Sequence, residues 1–199
     1  MHPANAFKVE DEATLLAHLG RYPFVTLAAA PEGKLLLAQA PVVVRRRDGV
    51  VVLDFHLSRG NALAAFMTIG FAAVMLSHGP DAYISPDWYG VEDQVPTWNY
   101  VSVEAQGRVE PMDDAGLVAL LDDLSTQEEA RLLPKAPWTR DKMSDGRFEA
   151  MAQMIVGGSL RVERLEGTFK LGQNKTEAAR TGVVAALGDH PIGVLMTQL

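Results

Sequence analysis

Between Phe24 and Leu57, three apolar and β-branched runs, Phe24 to Ala30, Leu35 to Val44 and Val50 to Leu57, are separated by short segments that contain the turn formers Pro31-Glu32-Gly33 and Asp48-Gly49. Turn formers at that spacing leave no room for helices between the runs, so the segment reads as an antiparallel meander. A meander alone has two unpaired edges, and further strands must cover them. Phe71 to Ser77, closed by Gly79-Pro80, supplies one. Val101 to Val109 supplies a second, with Val101, Val103, Ala105, Gly107 and Val109 on one face and Ser102, Glu104, Gln106 and Arg108 on a wet one. Leu160, Val162 and Leu165 give a further strand face.

Helical spacing lies around these runs. Asp11 and Glu12 open a helix carrying Leu15, Leu16 and Leu19 and closed by Gly20, and Asn61 to Phe66 is a short Ala-rich helix. Asp113 and Asp114 cap a helix with Leu117, Leu120, Leu121 and Leu124 on one side. After a loop from Leu132 to Trp138, Ser144-Asp145 is expected to cap a helix bearing Phe148, Met151, Met154 and Ile155, and Thr176 to Leu187 forms a closing helix ended by Gly188. The expectation is a single domain over residues 1–199, mainly β with peripheral helices (α+β). Its strands should form a closed or partly closed barrel, the arrangement that removes exposed edges.

A content of 48% hydrophobic and 22% charged residues is an ordinary globular balance. Met1 to Glu12 holds no apolar run of signal-peptide type, and no apolar stretch is long enough to span a bilayer, so a cytoplasmic protein without membrane contact is expected. Cysteine is absent, which excludes disulfides, thiolate nucleophiles and thiolate-bound metals. Any redox role then needs a borrowed cofactor. A net charge of −7 opposes direct nucleic-acid binding, which depends on cations neutralising phosphates. The one compact basic run, Arg45-Arg46-Arg47 beside Asp48-Gly49, reads as a solvated turn, with an anion or nucleic-acid contact as the alternative.

Three stretches carry candidate chemistry. Asp81 to Gly90 with Val95 to Tyr100 holds two of the three tryptophans and three of the four tyrosines, a density suited to a flat heteroaromatic ligand or to a packed interface. In His56-Leu57-Ser58-Arg59-Gly60-Asn61 a strand gives way to a helix, so Ser58, Arg59 and the free backbone N–H groups of the helix start should converge on an anion, with Gly60 letting the chain turn closely around it. An ordinary strand-to-helix turn has the same pattern. Lys170-Leu171-Gly172-Gln173-Asn174-Lys175 places two cations and two amides before the last helix, as a phosphate-closing segment or a polar loop.

Other chemistries fail on spacing. Histidines 2, 18, 56, 78 and 190 show no ligand spacing, so no metal is expected, and no G-x-S-x-G elbow, P-loop or dinucleotide fingerprint is present. Asp81, Asp87, Glu92 and Asp93 read as solvated loop acids.

Taken together and in order, Ala82-Tyr83-Ile84-Ser85-Pro86 with Trp88-Tyr89, Val95-Pro96-Thr97-Trp98-Asn99-Tyr100, Lys170 to Lys175 and the weaker block His56 to Asn61 resemble the PaiB-like family of FMN-binding proteins, labelled transcriptional regulators. The resemblance covers almost the whole chain; the tail Pro191 to Leu199 is outside it and is given no role. It implies an FMN-binding split β-barrel, similar to pyridoxamine-phosphate oxidase, assembled as a homodimer with the flavin near the subunit interface. By the same resemblance Ser58, Arg59 and Asn61 contact the FMN tail, with His56 beside them and Arg59 the leading phosphate partner. Gln173, Asn174 and Lys175 contribute from the C-terminal block, Thr97, Trp98 and Asn99 flank the ring or the dimer seam, and the backbone of Ala40 to Val43 lines the ring's edge. Gly60 stands where relatives would carry alanine and Gly172 where serine is common. Two functions follow. One is a flavin-binding regulator or sensor. The other is a flavin-dependent oxidoreductase using NAD(P)H or another small-molecule substrate, with His56, Tyr83 or Tyr89 as candidate proton donors. A haem role is disfavoured because no axial histidine stands out.

Overall fold

The meander is present in the computed structural model, which describes residues 2–199. In chain order the elements are β1 (Lys8–Val9), α1 (Glu12–Arg21), β2 (Phe24–Ala29), β3 (Leu36–Arg47), β4 (Val50–Ser58), β5 (Phe71–Ile84), β6 (Thr97–Pro111), α2 (Asp114–Ala130), α3 (Arg147–Ala152), β7 (Ile155–Lys170), α4 (Glu177–Leu187) and α5 (Pro191–Met196). Asp48 and Gly49, both at positive φ (51° and 79°), make the two-residue turn between β3 and β4, the backbone twist that matches flanking strands. Strand order is β1-β7-β4-β3-β2-β5-β6, and β6 pairs back onto β7, so β2 to β7 close into an antiparallel barrel. Among the described residues no helix is long and apolar enough to cross a membrane.

The chain divides into two compact units. The first comprises Met1–His18, His78–Glu104 and Leu165–Leu199; the second comprises Leu19–Ser77 and Ala105–Arg164.

The second unit holds the barrel closure. Leu27, Leu53, Phe55, Met75, Ala105 and Leu160 are buried in it, and α2 lays Leu117, Leu120 and Leu124 over Val43 on the outside. Asp113 caps α2, accepting from the Gly116 N–H at 2.7 Å. The basic run is not a solvated turn. Arg45 and Arg47 lie at the end of β3 and converge on Asp54 of β4, which is 1% exposed, through Arg45 Nε (2.7 Å) and Arg47 Nη2 (2.5 Å), while Ser159 Oγ donates to the same carboxylate at 2.6 Å. Arg45 also reaches Asp123 of α2 at 2.5 Å, tying the helix to the barrel wall. A buried carboxylate needs such partners, which is why the strand continues through three arginines.

Two further boundaries differ from expectation for steric reasons. β7 begins at Ile155, paired with Ser58, and α3 is confined to Arg147–Ala152 behind Gly146 at φ 71°, with no side-chain cap from Ser144 or Asp145. Met151 and Met154, expected on a buried helical face, are exposed. The strand passes close to two methionines here: a Cβ at Gly158 would lie 2.4 Å from Met67 Cε and one at Gly157 2.8 Å from Met112 Sδ, so either side chain would have to move.

In the first unit, β1 pairs with β7 (Lys8 opposite Thr168), and Ala82, Ile84, Tyr89, Val101, Leu171, Val183 and Ile192 form a core. Gly79-Pro80 does not close β5, which runs on to Ile84. A Cβ at Gly79 would lie 2.7 Å from His18 Cε1 and 3.3 Å from the Val101 carbonyl, so that glycine serves close packing rather than a turn. Gly20 does not end α1 either; the helix runs to Arg21 and Gly20 lacks a positive φ. The tail has a structural role: Thr176 caps α4, and Ile192 and Met196 of α5 are buried in the same core.

Candidate functional site

The strand-to-helix stretch lies wholly in the second unit. Along β4, Asp54, His56 and Ser58 alternate with the core residues Phe55 and Leu57, so the three share the outer face of the barrel wall. Asn61 caps a single 3-10 turn, Ala62–Phe66, by accepting from the Leu63 N–H at 2.9 Å. The expected free N–H groups are already engaged. Arg59 N–H donates to the Met154 carbonyl (2.9 Å), Gly60 N–H to Ser58 Oγ (3.3 Å) and Asn61 N–H to the Ser58 carbonyl (2.9 Å). Gly60 has no positive φ, and a Cβ there would meet only Ser58 Oγ at 3.7 Å, so the conformation accepts alanine equally well.

What this stretch offers an anion is therefore side chains. Arg59 is exposed, with Nε held by the Gln153 carbonyl at 2.8 Å. That contact orients the guanidinium and leaves Nη1 and Nη2 as an outward fork, the arrangement that engages a phosphate bidentately. On β4, His56 is half-buried, and its Nδ1 is shut off from solvent without a hydrogen-bond partner. Burial pushes this imidazole below its ordinary range, so it is neutral at pH 7. A buried nitrogen with no partner is one that a polar ligand would satisfy.

The other expected residues belong to the first unit. Thr97 Oγ1 accepts from Lys170 Nζ at 2.6 Å. Trp98 is exposed and meets Tyr83 edge-on at 6.1 Å between centroids. Asn99 is buried, and its Nδ2 donates to Met196 Sδ at 3.4 Å. Gln173 is engaged within its own turn, accepting from Leu171 N–H (2.8 Å) and donating to the Phe169 carbonyl (2.5 Å). Asn174 is exposed. Lys175 Nζ donates to Gln94 Oε1 at 2.6 Å and lies 4.8 Å from the centroid of Tyr89, a phenol that burial pushes above its ordinary value. Gly172 has φ 80°, so the turn requires glycine where a serine would be strained. Lys170 and Lys175 are thus each held by a neutral oxygen that is distant along the chain, which the local sequence did not announce.

A closed antiparallel barrel with helices outside defines the fold class, a split β-barrel. The fold is similar to that of the FAD and heme binding protein from Mycobacterium smegmatis (TM-score 0.56, 18% identity, 92% of this chain and 82% of that one) and of the flavocytochrome Anf3 from Azotobacter vinelandii (TM-score 0.56, 13% identity, 85% and 72%). In sequence the chain is 27% identical to the protease synthase and sporulation protein PAI 2 of Bacillus subtilis, over all of this chain and 96% of that protein. It is also 29% identical to an uncharacterized protein of Aspergillus fumigatus, over 56% of this chain and 50% of that protein. Residues 1–164 match the family model described as "Putative FMN-binding domain", and the chain belongs to that family. It is thus an FMN-binding protein of the PaiB-like kind, with FMN as its cofactor. The alignment with PAI 2 takes in the tail from Pro191 that the sequence reading left out.

Proposed function

We propose that this protein is a homodimeric, cytoplasmic FMN-dependent redox sensor or oxidoreductase for a small molecule, and that Ser58, Arg59 and Asn61 hold the FMN phosphate. The observations that carry the site are the exposed Arg59 guanidinium, held at Nε by the Gln153 carbonyl, and the unpartnered Nδ1 of His56, three residues earlier on β4. Bound FMN supplies the hydride or electron chemistry. The chain's part is to bind the phosphate, to orient the cofactor through His56 and, with a neutral imidazole, to offer a hydrogen-bonding group that carries no charge of its own. Asn99 and Gln173, whose amides are engaged within the first unit, serve to hold the segments bearing Thr97, Trp98, Asn174 and Lys175. Arg59→Ala is expected to weaken FMN binding by about 1.5 to 3 kcal/mol, or roughly 10- to 150-fold, the worth of a hydrogen bond to a charged group. Flavin fluorescence quenching reads this directly. An unchanged dissociation constant in a variant with wild-type melting behaviour overturns the phosphate assignment.

Action through direct DNA contact is disfavoured. Of the basic run, Arg45 and Arg47 are held on Asp54 and Asp123, in a chain of net charge −7. Regulation, where this protein exerts it, then passes through a small molecule or a protein partner. Support for a second copy comes from the outer face of β3, β2 and β5. There Leu37 lies opposite Ala28, which is opposite Val74, and Gln39 opposite Thr26, which is opposite Leu76. Phe24, Leu37 and Leu76 are exposed on that face, and Ala28, Leu35, Ala72 and Val74 line a groove of about 380 Å³ with Gln106 and Glu163 at its side. An exposed apolar patch of this kind is what an isologous dimer covers. Sedimentation should give a dimer at micromolar concentration and a monomer for Leu37→Lys with Leu76→Lys. A monomeric wild type removes this part of the proposal.

A further inference from the structure

FMN carries one phosphate, and in the reading above the Ser58–Arg59 turn takes it. The first unit presents a second cation cluster that this leaves unexplained. Lys170 and Lys175 sit at the two ends of one tight turn, fixed by Gly172 at φ 80°, by the Lys175 N–H donating to the Gly172 carbonyl (2.9 Å) and by both polar atoms of Gln173. Both lysines are half-buried. Each ammonium has a neutral oxygen as its hydrogen-bond partner, Thr97 Oγ1 for Lys170 and Gln94 Oε1 for Lys175, each at 2.6 Å. Among the described residues neither forms an ion pair with a carboxylate, and a third cation, Arg180, is drawn in by donating from Nη1 to the Lys175 carbonyl at 2.7 Å.

Elsewhere the chain holds cations in both ways: Arg59, Arg108 and Lys142 donate to backbone carbonyls, and others are ion-paired. Arg45, Arg47, Arg131, Lys135 and Arg140 are all paired with carboxylates, as expected where acids outnumber bases by 25 to 18. Gathering three cations at one half-buried place without a counter-charge costs free energy in the absence of a ligand. The cost is visible at Lys170, where burial and then the charge of Lys175 hold the ammonium below its ordinary range. Neutral partners that fix two ammonium groups without neutralising them are how a protein pre-organises a site for an incoming anion.

We propose that Lys170 and Lys175, with Arg180 and the exposed amide of Asn174 beside them, form a second anion site that takes the carboxylate or phosphate group of a small acidic substrate or effector, separately from FMN. The proposal rests on the FMN phosphate lying at Arg59. Phosphate and carboxylate share this chemistry, and two probes tell them apart.

The experiment titrates inorganic pyrophosphate and, separately, citrate into the FMN-saturated full-length protein by calorimetry. One of the two should bind once per chain. Lys170→Gln and Lys175→Gln should each weaken it by about tenfold or more, the order expected for losing a charge-assisted hydrogen bond. In Lys170→Gln the dissociation constant for FMN should stay within twofold, and Lys170→Arg with Lys175→Arg should retain the anion. Loss of anion binding in the Gln variants with retention in the Arg pair also excludes simple misfolding. The proposal is overturned if neither probe binds the wild type at millimolar concentration, if the Gln variants bind the probe unchanged, or if Lys170→Gln loses FMN affinity, which would give that lysine to the flavin. The flavin reading fails by a different result, an Arg59→Ala variant that keeps full FMN affinity.

Discussion

Gly107→Ala is expected to leave the chain unable to close its barrel and to accumulate as insoluble or molten protein. Gly107 is buried in β6 where that strand crosses β7, and a Cβ there would lie 1.9 Å from the Arg161 carbonyl oxygen, 2.9 Å from its carbon and 3.2 Å from Val162 Cα. All three atoms are backbone, so no side-chain rotation relieves the overlap, and the strands must separate. Separation at that point breaks the β6–β7 pairing, the seam that turns an open sheet into a barrel. A loss above about 4 kcal/mol is the order expected for such overpacking, a large share of the roughly 5 to 15 kcal/mol that holds a typical domain folded. The internal control has the opposite sign. Gly20 lies inside α1 with nothing within 4 Å of a built Cβ, so Gly20→Ala should stabilise by about 0.5 to 1 kcal/mol through helix propensity. Soluble yield and thermal melts followed by circular dichroism distinguish the two. A Gly107→Ala protein melting near the wild type would mean that β6 and β7 approach less closely than described.

Periodicity and turn chemistry carried most of the barrel wall because they are local. The two turns of the meander, the alternation along Val101 to Val109 and the Leu117, Leu120, Leu124 stripe each reflect a single element and its immediate neighbours. What local signals misplace is glycine. Gly20 and Gly79 read as punctuation, yet both lie inside elements, and Gly79 is there because a neighbouring strand and side chain come too close for a Cβ. Nothing within a few residues of Gly79 announces His18. The same limit governs the candidate site. His56, Ser58, Arg59 and Asn61 are adjacent in sequence, and their position at a strand end was legible. The engagement of their backbone N–H groups was not, because the Met154 carbonyl that takes the Arg59 N–H belongs to a segment far along the chain. The reading of Arg45 to Arg47 failed for a related reason: alternation places Asp54 on the outer wall, and only the arrival of α2 makes that wall an interior.

That buried carboxylate gives the other large expected effect, a loss of about 3 kcal/mol or more in Asp54→Ala, the range for removing one partner from a buried ion cluster. Asp54 is 1% exposed and accepts from Arg45 Nε, from both terminal nitrogens of Arg47 and from Ser159 Oγ, so its removal leaves several donors on the barrel wall unmatched at once. Two features place the loss at the lower end of that range. The Arg47 side chain is 45% exposed and can turn to water, and Arg45 keeps Asp123. Asp54→Asn retains the shape and one acceptor, and should lie between Asp54→Ala and the wild type. Denaturant midpoints at constant m-value measure the series, and a cycle with Asp123→Asn isolates the share that passes through Arg45 to α2. A loss below about 1 kcal/mol, as for a surface pair, would show that water already solvates the cluster. Because Asp54, His56 and Ser58 share one face of β4, this cluster also fixes the strand from which the proposed phosphate site projects. Asp54→Asn, the milder variant, is therefore the one in which to ask whether FMN affinity falls with the stability of that strand.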